Sequence, residues 1–464
     1  MISFSKYRII ALLTVLLFGF YACSDDDDNN TNRANTDFTL AALAADDPEL
    51  TDLVAALQAT ELVDLLNGTT SYTLLAPTNA AFDTFFTNND IYNQISDVPV
   101  ALLTQIILYH VIDGNLLAEQ FTDTGYENTI APSESEVLND TINNRGLSIY
   151  YNATNGLKFN NETTVVTSDV TAANGTLHKV DRLLSLPTLT STLQVNPDLV
   201  TLLNRLKTTG LIDTLSNAKD FTLLAPTNQA FEIAGSTGMD PLEALLKNHV
   251  VDSILTATAI IQKGNGYTQT LSQLTPKDNV FLSLYHNTNS GVRFNGKATV
   301  TTPDIVTPNG LIHIIDAVIT LPAITDFITA DPDFTTLFIA LTDDTPGTDF
   351  TAIFSRTNVD NPDGFNAPFT LFAPVEAAFA TFGPVPEEAI LTPILLGHTL
   401  SGANICSDDL MDGTLTTLNG DITVAASERT LGSPGNDSLV SILSTDIQAV
   451  NGIIHKIDNV LLQE

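Results

Sequence analysis

From Phe38 to Leu66 apolar residues recur at helical spacing, and a second apolar stripe runs along Pro99-Val-Ala-Leu-Leu-Thr-Gln-Ile-Ile-Leu-Tyr109-His110, with proline at its start. Between them Tyr72-Thr-Leu-Leu-Ala-Pro77 reads as a buried strand ending at proline. Thr78 or Asn79 then caps a short helix beginning at Ala80. Further on, a β-branched run from Thr163 to Val170 meets Asn174-Gly175 and an apolar strand follows, which predicts a hairpin. Helices early and strands late make an α+β unit, a short-stranded β-sandwich or wedge with helices packed on one side.

The same pattern occurs three times. Tyr72-Thr-Leu-Leu-Ala-Pro77-Thr78-Asn79-Ala-Ala-Phe82 returns as Phe221-Thr-Leu-Leu-Ala-Pro226-Thr227-Asn228-Gln-Ala-Phe231 and as Phe369-Thr-Leu-Phe-Ala-Pro374-Val375-Glu376-Ala-Ala-Phe379. A closing block runs Asn174-Gly175-Thr-Leu-His178-Lys-Val-Asp181, then Asn309-Gly310-Leu-Ile-His313-Ile-Ile-Asp316, then Asn451-Gly452-Ile-Ile-His455-Lys-Ile-Asp458. Pro77, Pro226 and Pro374 lie 149 and 148 residues apart, a spacing that suits whole domains. In the third copy Val375 and Glu376 replace the capping pair, so a weaker helix start is expected there.

These paired blocks resemble the two signature segments of the fasciclin (FAS1) domain, and Tyr109-His110 resembles that family's Tyr-His motif. The resemblance covers about Thr36 to Leu462. It implies three tandem fasciclin-like domains, at 37–186, 187–322 and 323–464. The middle copy carries Asn248-His249 and the last Gly397-His398, so the motif tyrosine stands only in the first unit. The resemblance further implies an adhesion or matrix-organising protein that acts by binding. Thr302-Pro303-Asp304-Ile305-Val306 is similar to a Pro-Asp-Ile segment used for integrin recognition in animal fasciclin proteins, which makes Pro303, Asp304 and Ile305 a candidate binding segment. Asp169 and Asp446 occupy the equivalent strand positions, so a turn or strand role explains Asp304 more cheaply.

Ahead of the repeats, Lys6 and Arg8 precede an apolar run from Ile9 to Tyr21 that is short for a membrane span, and Ala22-Cys23 closes it. Residues 1–22 are therefore expected to be a signal peptide, cut before a lipid-bearing Cys23. Ser24 to Asp28 and the Asn/Thr stretch after it make 23–36 a solvated acidic tether. It resembles the signal that sends some Bacteroidetes-type lipoproteins to the outer face of the outer membrane. The expected location is the outer membrane, lipid-anchored and facing the exterior.

Charge narrows the partners. The chain has 54 acidic against 18 basic residues, a net −36, and removing Lys6 and Arg8 with the signal gives 16 − 54 = −38. Such a surface repels nucleic acid. Partners should be matrix or cell-surface proteins or glycans, with self-association open. Two cysteines, Cys23 and Cys406, make no disulfide framework. The absence of Trp counts against the alternative reading, a glycan- or nutrient-capture protein, because sugars usually stack on Trp or Tyr.

Six of the seven histidines occupy repeat positions: His110, His249 and His398 on the helix, His178, His313 and His455 on the hairpin strand. A hydrolase would have to start from these. The helix set lies on the apolar stripe, and the strand set shares parity with Val180, Ile315 and Ile457. Asp181, Asp316 and Asp458, three positions on, fall on the opposite strand face, which excludes a dyad with them. No nucleophile or zinc spacing accompanies them. Buried histidines satisfying backbone groups are the better reading, those of one unit lying close and tying helix to sandwich. No enzyme activity, metal or cofactor is expected. The extra acidic loop of the third unit, with Asp343, Asp344, Asp349, Asp360, Asp363 and Gly364, lacks EF-hand spacing and reads as solvated rather than as a calcium site.

Overall fold

A computed structural model describes residues 38–139, 145–235, 241–273 and 280–463. The expected signal segment, Cys23 and the expected acidic tether lie outside them. No helix among the described residues is long and apolar enough to cross a membrane.

The first unit sets the pattern. The helical stretch is cut into three: α1 (Leu40–Asp46), α2 (Thr51–Ala59) and α3 (Val63–Asn67). Pro48 opens a 3-10 turn after α1, and Glu61 takes a left-handed backbone (φ 59°) between α2 and α3. Strand β1 (Tyr72–Pro77) runs into α4 (Asn79–Thr87), and α5 (Val100–Tyr109) into β2 (Val111–Asp113). Then come β3 (Thr124–Asn128), β4 (Ser148–Asn152), β5 (Lys158–Phe159), β6 (Thr163–Ala172) and β7 (Gly175–Val180). Thr78 Oγ1 accepts the Ala81 N–H and caps α4, which begins at Asn79. Asn79 does other work: its Oδ1 accepts the Asp52 N–H at 3.0 Å and fastens α4 to α2. In the third unit Val375 provides no cap, but the Glu376 carboxylate takes the Asn79 role on the Thr336 N–H, at 2.5 Å.

The seven strands run in the order β2-β1-β7-β6-β5-β4-β3, and the other two units repeat this order. The two sequence blocks therefore lie side by side as central parallel strands, Tyr72 beside Gly175 through Pro77 beside Val180. Strand β6 bends the sheet: Thr163 and Thr164 pair with β5, and the residues from Val165 onward pair with β7 across two register shifts. Two cores result. Leu74, Ala76 and Leu177 pack under the helices with Leu53, Phe82 and Leu103, while Leu75 and Val180 face the fold of the sheet with Tyr109, Ile149 and Phe159.

The Asn-Gly element is a hairpin turn of a different kind from a solvent-facing one. Ala172 pairs with Gly175, so Ala173 and Asn174 form the turn. Asn174 is buried; its Nδ2 donates to Leu66 O and Gly68 O at the end of α3, and its Oδ1 accepts from Leu40 N at the start of α1. Gly175 (φ 146°) leaves no room for a Cβ, which would strike Tyr72 O on the neighbouring strand.

Candidate functional site

Each helix histidine sits at the C-terminus of its helix with both ring nitrogens bound to backbone. His110 Nδ1 meets Ile106 O at 2.7 Å and Nε2 meets Leu184 N at 2.9 Å. His249 does the same with Leu245 O and Ile319 N, and His398 with Ile394 O and Leu461 N. A nitrogen facing a carbonyl must donate and one facing an N–H must accept, so the ring is the neutral Nδ1–H form. Burial pushes each of the three down to about 4, partly offset by the bond to the carbonyl.

The strand histidines hold the opposite tautomer. His178 Nδ1 accepts the Asp169 N–H at 3.2 Å, leaving Nε2 to donate to Leu116 O at 3.0 Å. His313 repeats this with Asp304 N and Leu255 O, and His455 with Asp446 N and Ile405 O. Asp169, Asp304 and Asp446 are the left-handed residues of the bulge in the β6-type strand, with φ of 62°, 59° and 65°. Their carboxylates reach the same loop two residues on, accepting from Ala118 N, Ala257 N and Ser407 N at 2.7–2.9 Å. The Asp–His pair is thus a clamp on the segment after β2. His313 Nδ1 lies 4.0 Å from the Asp304 carboxylate but is already an acceptor, so no proton-relay dyad forms. Asp181, Asp316 and Asp458 bond instead to Thr164 N, Thr299 N and Ser441 N, each at 2.7 Å.

The histidines of one unit do not bond each other; they flank β1, Leu75 donating to His110 O while standing beside His178 in the sheet. Tyr109 OH donates to Ser148 O (3.1 Å) and accepts from Asn160 Nδ2. At the matching place Asn248 Nδ2 bonds Ile319 O and Thr320 O, and Gly397 is packed by the Gln463 side chain.

Successive units dock through one contact used twice. Tyr126 and Tyr150, ring centroids 5.2 Å apart on β3 and β4, face unit two, where Asn196 Nδ2 bonds Tyr126 OH at 3.2 Å and Val306 N bonds Ser148 Oγ at 2.9 Å. Tyr267 and Tyr285, 5.0 Å apart, face unit three in the same way. Tyr267 OH donates to Asp331 Oδ2 at 2.8 Å, and Gln448 N donates to Ser283 Oγ at 2.9 Å.

The Fasciclin domain model matches residues 48–187, 197–322 and 346–463. The chain belongs to the fasciclin domain family. It is 28% identical to human periostin over 360 residues, covering 74% of this chain and 38% of periostin. It is 25% identical to the transforming growth factor-beta-induced protein ig-h3 of Sus scrofa over 365 residues, 76% of this chain and 48% of that one. The chain thus spans less than half the length of either relative. A solved fasciclin domain pair from the insect cell adhesion molecule Fasciclin I aligns with 20% identity and a TM-score of 0.33, covering 60% of this chain and 98% of that one.

Within the fasciclin units the Pro303–Asp304–Ile305 segment is mostly spoken for. Pro303 is exposed, but Asp304 and Ile305 are buried. The Asp304 carboxylate closes the clamp on Ala257 and also meets Arg145 of the first unit at 3.3 Å. In the acidic loop Asp349 caps a helix and Asp363 pairs with Arg356. No group of three or more acidic, His or Cys ligands stands together among the described residues. A cleft of about 410 Å³ lies at the first fasciclin junction and is lined by Tyr109, Tyr126, Tyr150, Asn160, Glu162 and Arg182 among others. The docking tyrosines escaped the motif reading because they are not in the signature blocks. Their signal was the recurrence of Gly125-Tyr126 as Gly266-Tyr267, replaced by Gly413-Thr414 in the last unit.

Proposed function

We propose that this fasciclin protein is a lipid-anchored surface protein, held at Cys23 in the outer membrane and facing outward, that adheres to or organises extracellular matrix by binding and not by catalysis. The observation that carries the reading is the serial docking: three fasciclin units are joined in a row by the same Tyr-Tyr-Ser contact. Repetition of that kind lets modest contacts add through effective concentration. The family supports adhesion, and the acidic surface turns the choice of partner toward neutral or basic matrix proteins and glycans. The repeat histidines offer no free base for hydrolysis, since all six engage backbone groups through both nitrogens.

A soluble Cys23→Ser chain on a matrix-protein and glycan array tests the binding. Saturable retention on a matrix protein is expected, and none at micromolar chain would defeat the reading. Protease added to intact cells tests the anchor: wild type should be cut at the surface and Cys23→Ser released to the medium. The cleft at the first junction favours a second reading, glycan capture, because it sets tyrosines beside Asn160, Glu162 and Arg182. An oligosaccharide signal lost on Arg182→Ala would move the assignment there.

A further inference from the structure

The three units are not equivalent as docking partners. The receiving surface of unit three is made by Asp331 and Asp333, both bound by Lys456 at 2.7 Å, with Phe327 on the adjoining helix Ile324–Ala330. The incoming Tyr267 bonds Asp331, stacks edge-on to Phe327 at 5.6 Å and lies under the Lys456 ammonium at 5.4 Å. Unit one carries the same set. Lys179 binds Asp47 at 2.5 Å and Glu49 at 2.8 Å, and Leu43 holds the Phe327 position on α1. Here nothing among the described residues covers it. The Asp47 side chain is 23% exposed where that of Asp331 is 4%. Leu43, Val170 and Thr171 are half-buried where their counterparts Phe327, Ile447 and Gln448 are buried. Leu43, Asp47, Pro48, Val170 and Leu177 line a groove of about 350 Å³ at this place.

At the other end of the chain the presenting hairpin has lost its chemistry. By register, Thr414, Thr423 and Asp421 stand where units one and two have Tyr126, Tyr150 and Ser148, or Tyr267, Tyr285 and Ser283. All three are exposed. The third unit's hairpin is therefore polar where the other two present tyrosines, and among the described residues a second copy of this chain has no free tyrosine hairpin to offer.

We propose that the open face of unit one is a docking site for a tyrosine-bearing β-hairpin of a fasciclin domain on a different polypeptide, its hydroxyl donating to Asp47 and its ring lying under Lys179. This goes beyond the adhesion reading and does not depend on it, because it rests only on the equivalence of the Lys179 and Lys456 surfaces.

The probe is the chain's own terminal hairpin rewritten as a donor: Thr414→Tyr, Asp421→Ser and Thr423→Tyr in the otherwise complete soluble Cys23→Ser chain. Light scattering over a concentration series should show wild type as a single chain and the triple variant at least doubling its average mass. Adding Leu43→Asp and Lys179→Glu should return it to one chain. Should Lys179→Glu lower the melting temperature, Leu43→Asp alone supplies that arm. A folded triple variant that stays monomeric would overturn the proposal, as would association that survives the changes at Leu43 and Lys179. Association seen only after deleting residues 24–36 would make that segment the native occupant and equally overturn it.

Discussion

At the scale of single residues, the histidines carry the clearest consequence. His110, His249 and His398 are neutral in the fold and held down to about 4, against an ordinary 6.5. The unfolded chain therefore binds more protons below pH 6.5, and folding stability falls as pH drops from there toward 4. The slope is about 1.4 kcal/mol per pH unit for each histidine fully protonated in the unfolded state only. Urea unfolding at pH 7.5, 6, 5 and 4.5 should show a flat upper region and then a steep decline. A His249→Gln chain should lose stability at pH 7.5 and show a shallower decline for its own unit. The burial of these residues was legible from stripe and parity alone. The Asp–His clamp was not. Parity counting assumes an unbroken strand, and the bulge at Asp169, Asp304 and Asp446 shifts the register so that an aspartate nine positions upstream meets the histidine ring.

At the scale of elements, the repeated Asn-Gly is a fastening as well as a turn. Asn451 Nδ2 donates to Phe354 O and Arg356 O, and its Oδ1 accepts from Ile324 N, as Asn174 and Asn309 do for their own helices on the donor side. Removing that side chain leaves buried backbone groups without partners, each costing about 1–3 kcal/mol. Asn451→Ala should therefore destabilise the third unit by roughly 3 kcal/mol in urea denaturation. Exposed Asn93→Ala should change little. The hairpin was visible in the sequence because β-branched runs and Gly announce it. The helix it fastens was not, because nothing local to Asn174 points to Leu66, more than a hundred residues earlier. The three helices between Leu40 and Asn67 read as one stretch for a different reason: the apolar spacing runs on through the breaks made by Pro48 and by the left-handed Glu61.

At the scale of the whole chain, three domains could be read from spacing, but their docking could not, since it depends on residues that differ between copies. Tyr267 is the anchor of the second junction: it joins the Asp331 carboxylate, the Phe327 ring and the Lys456 ammonium in one buried place. Truncating such a central aromatic typically removes about 2–4 kcal/mol of interface energy. Energy shared across a junction makes neighbouring units unfold together, so its loss should separate their transitions. Calorimetry of Tyr267→Ala should show the third unit melting apart from the first two, and Tyr126→Ala should free the first instead. In the same variants protease should gain a cut in the linkers near 320–323 and 185–188 respectively. Thr414→Ala, at the matching place on the terminal hairpin, should alter neither readout. Identical melting profiles for wild type and Tyr267→Ala would mean that the units are joined by their linkers alone, and the serial docking that carries the binding reading would be lost with it.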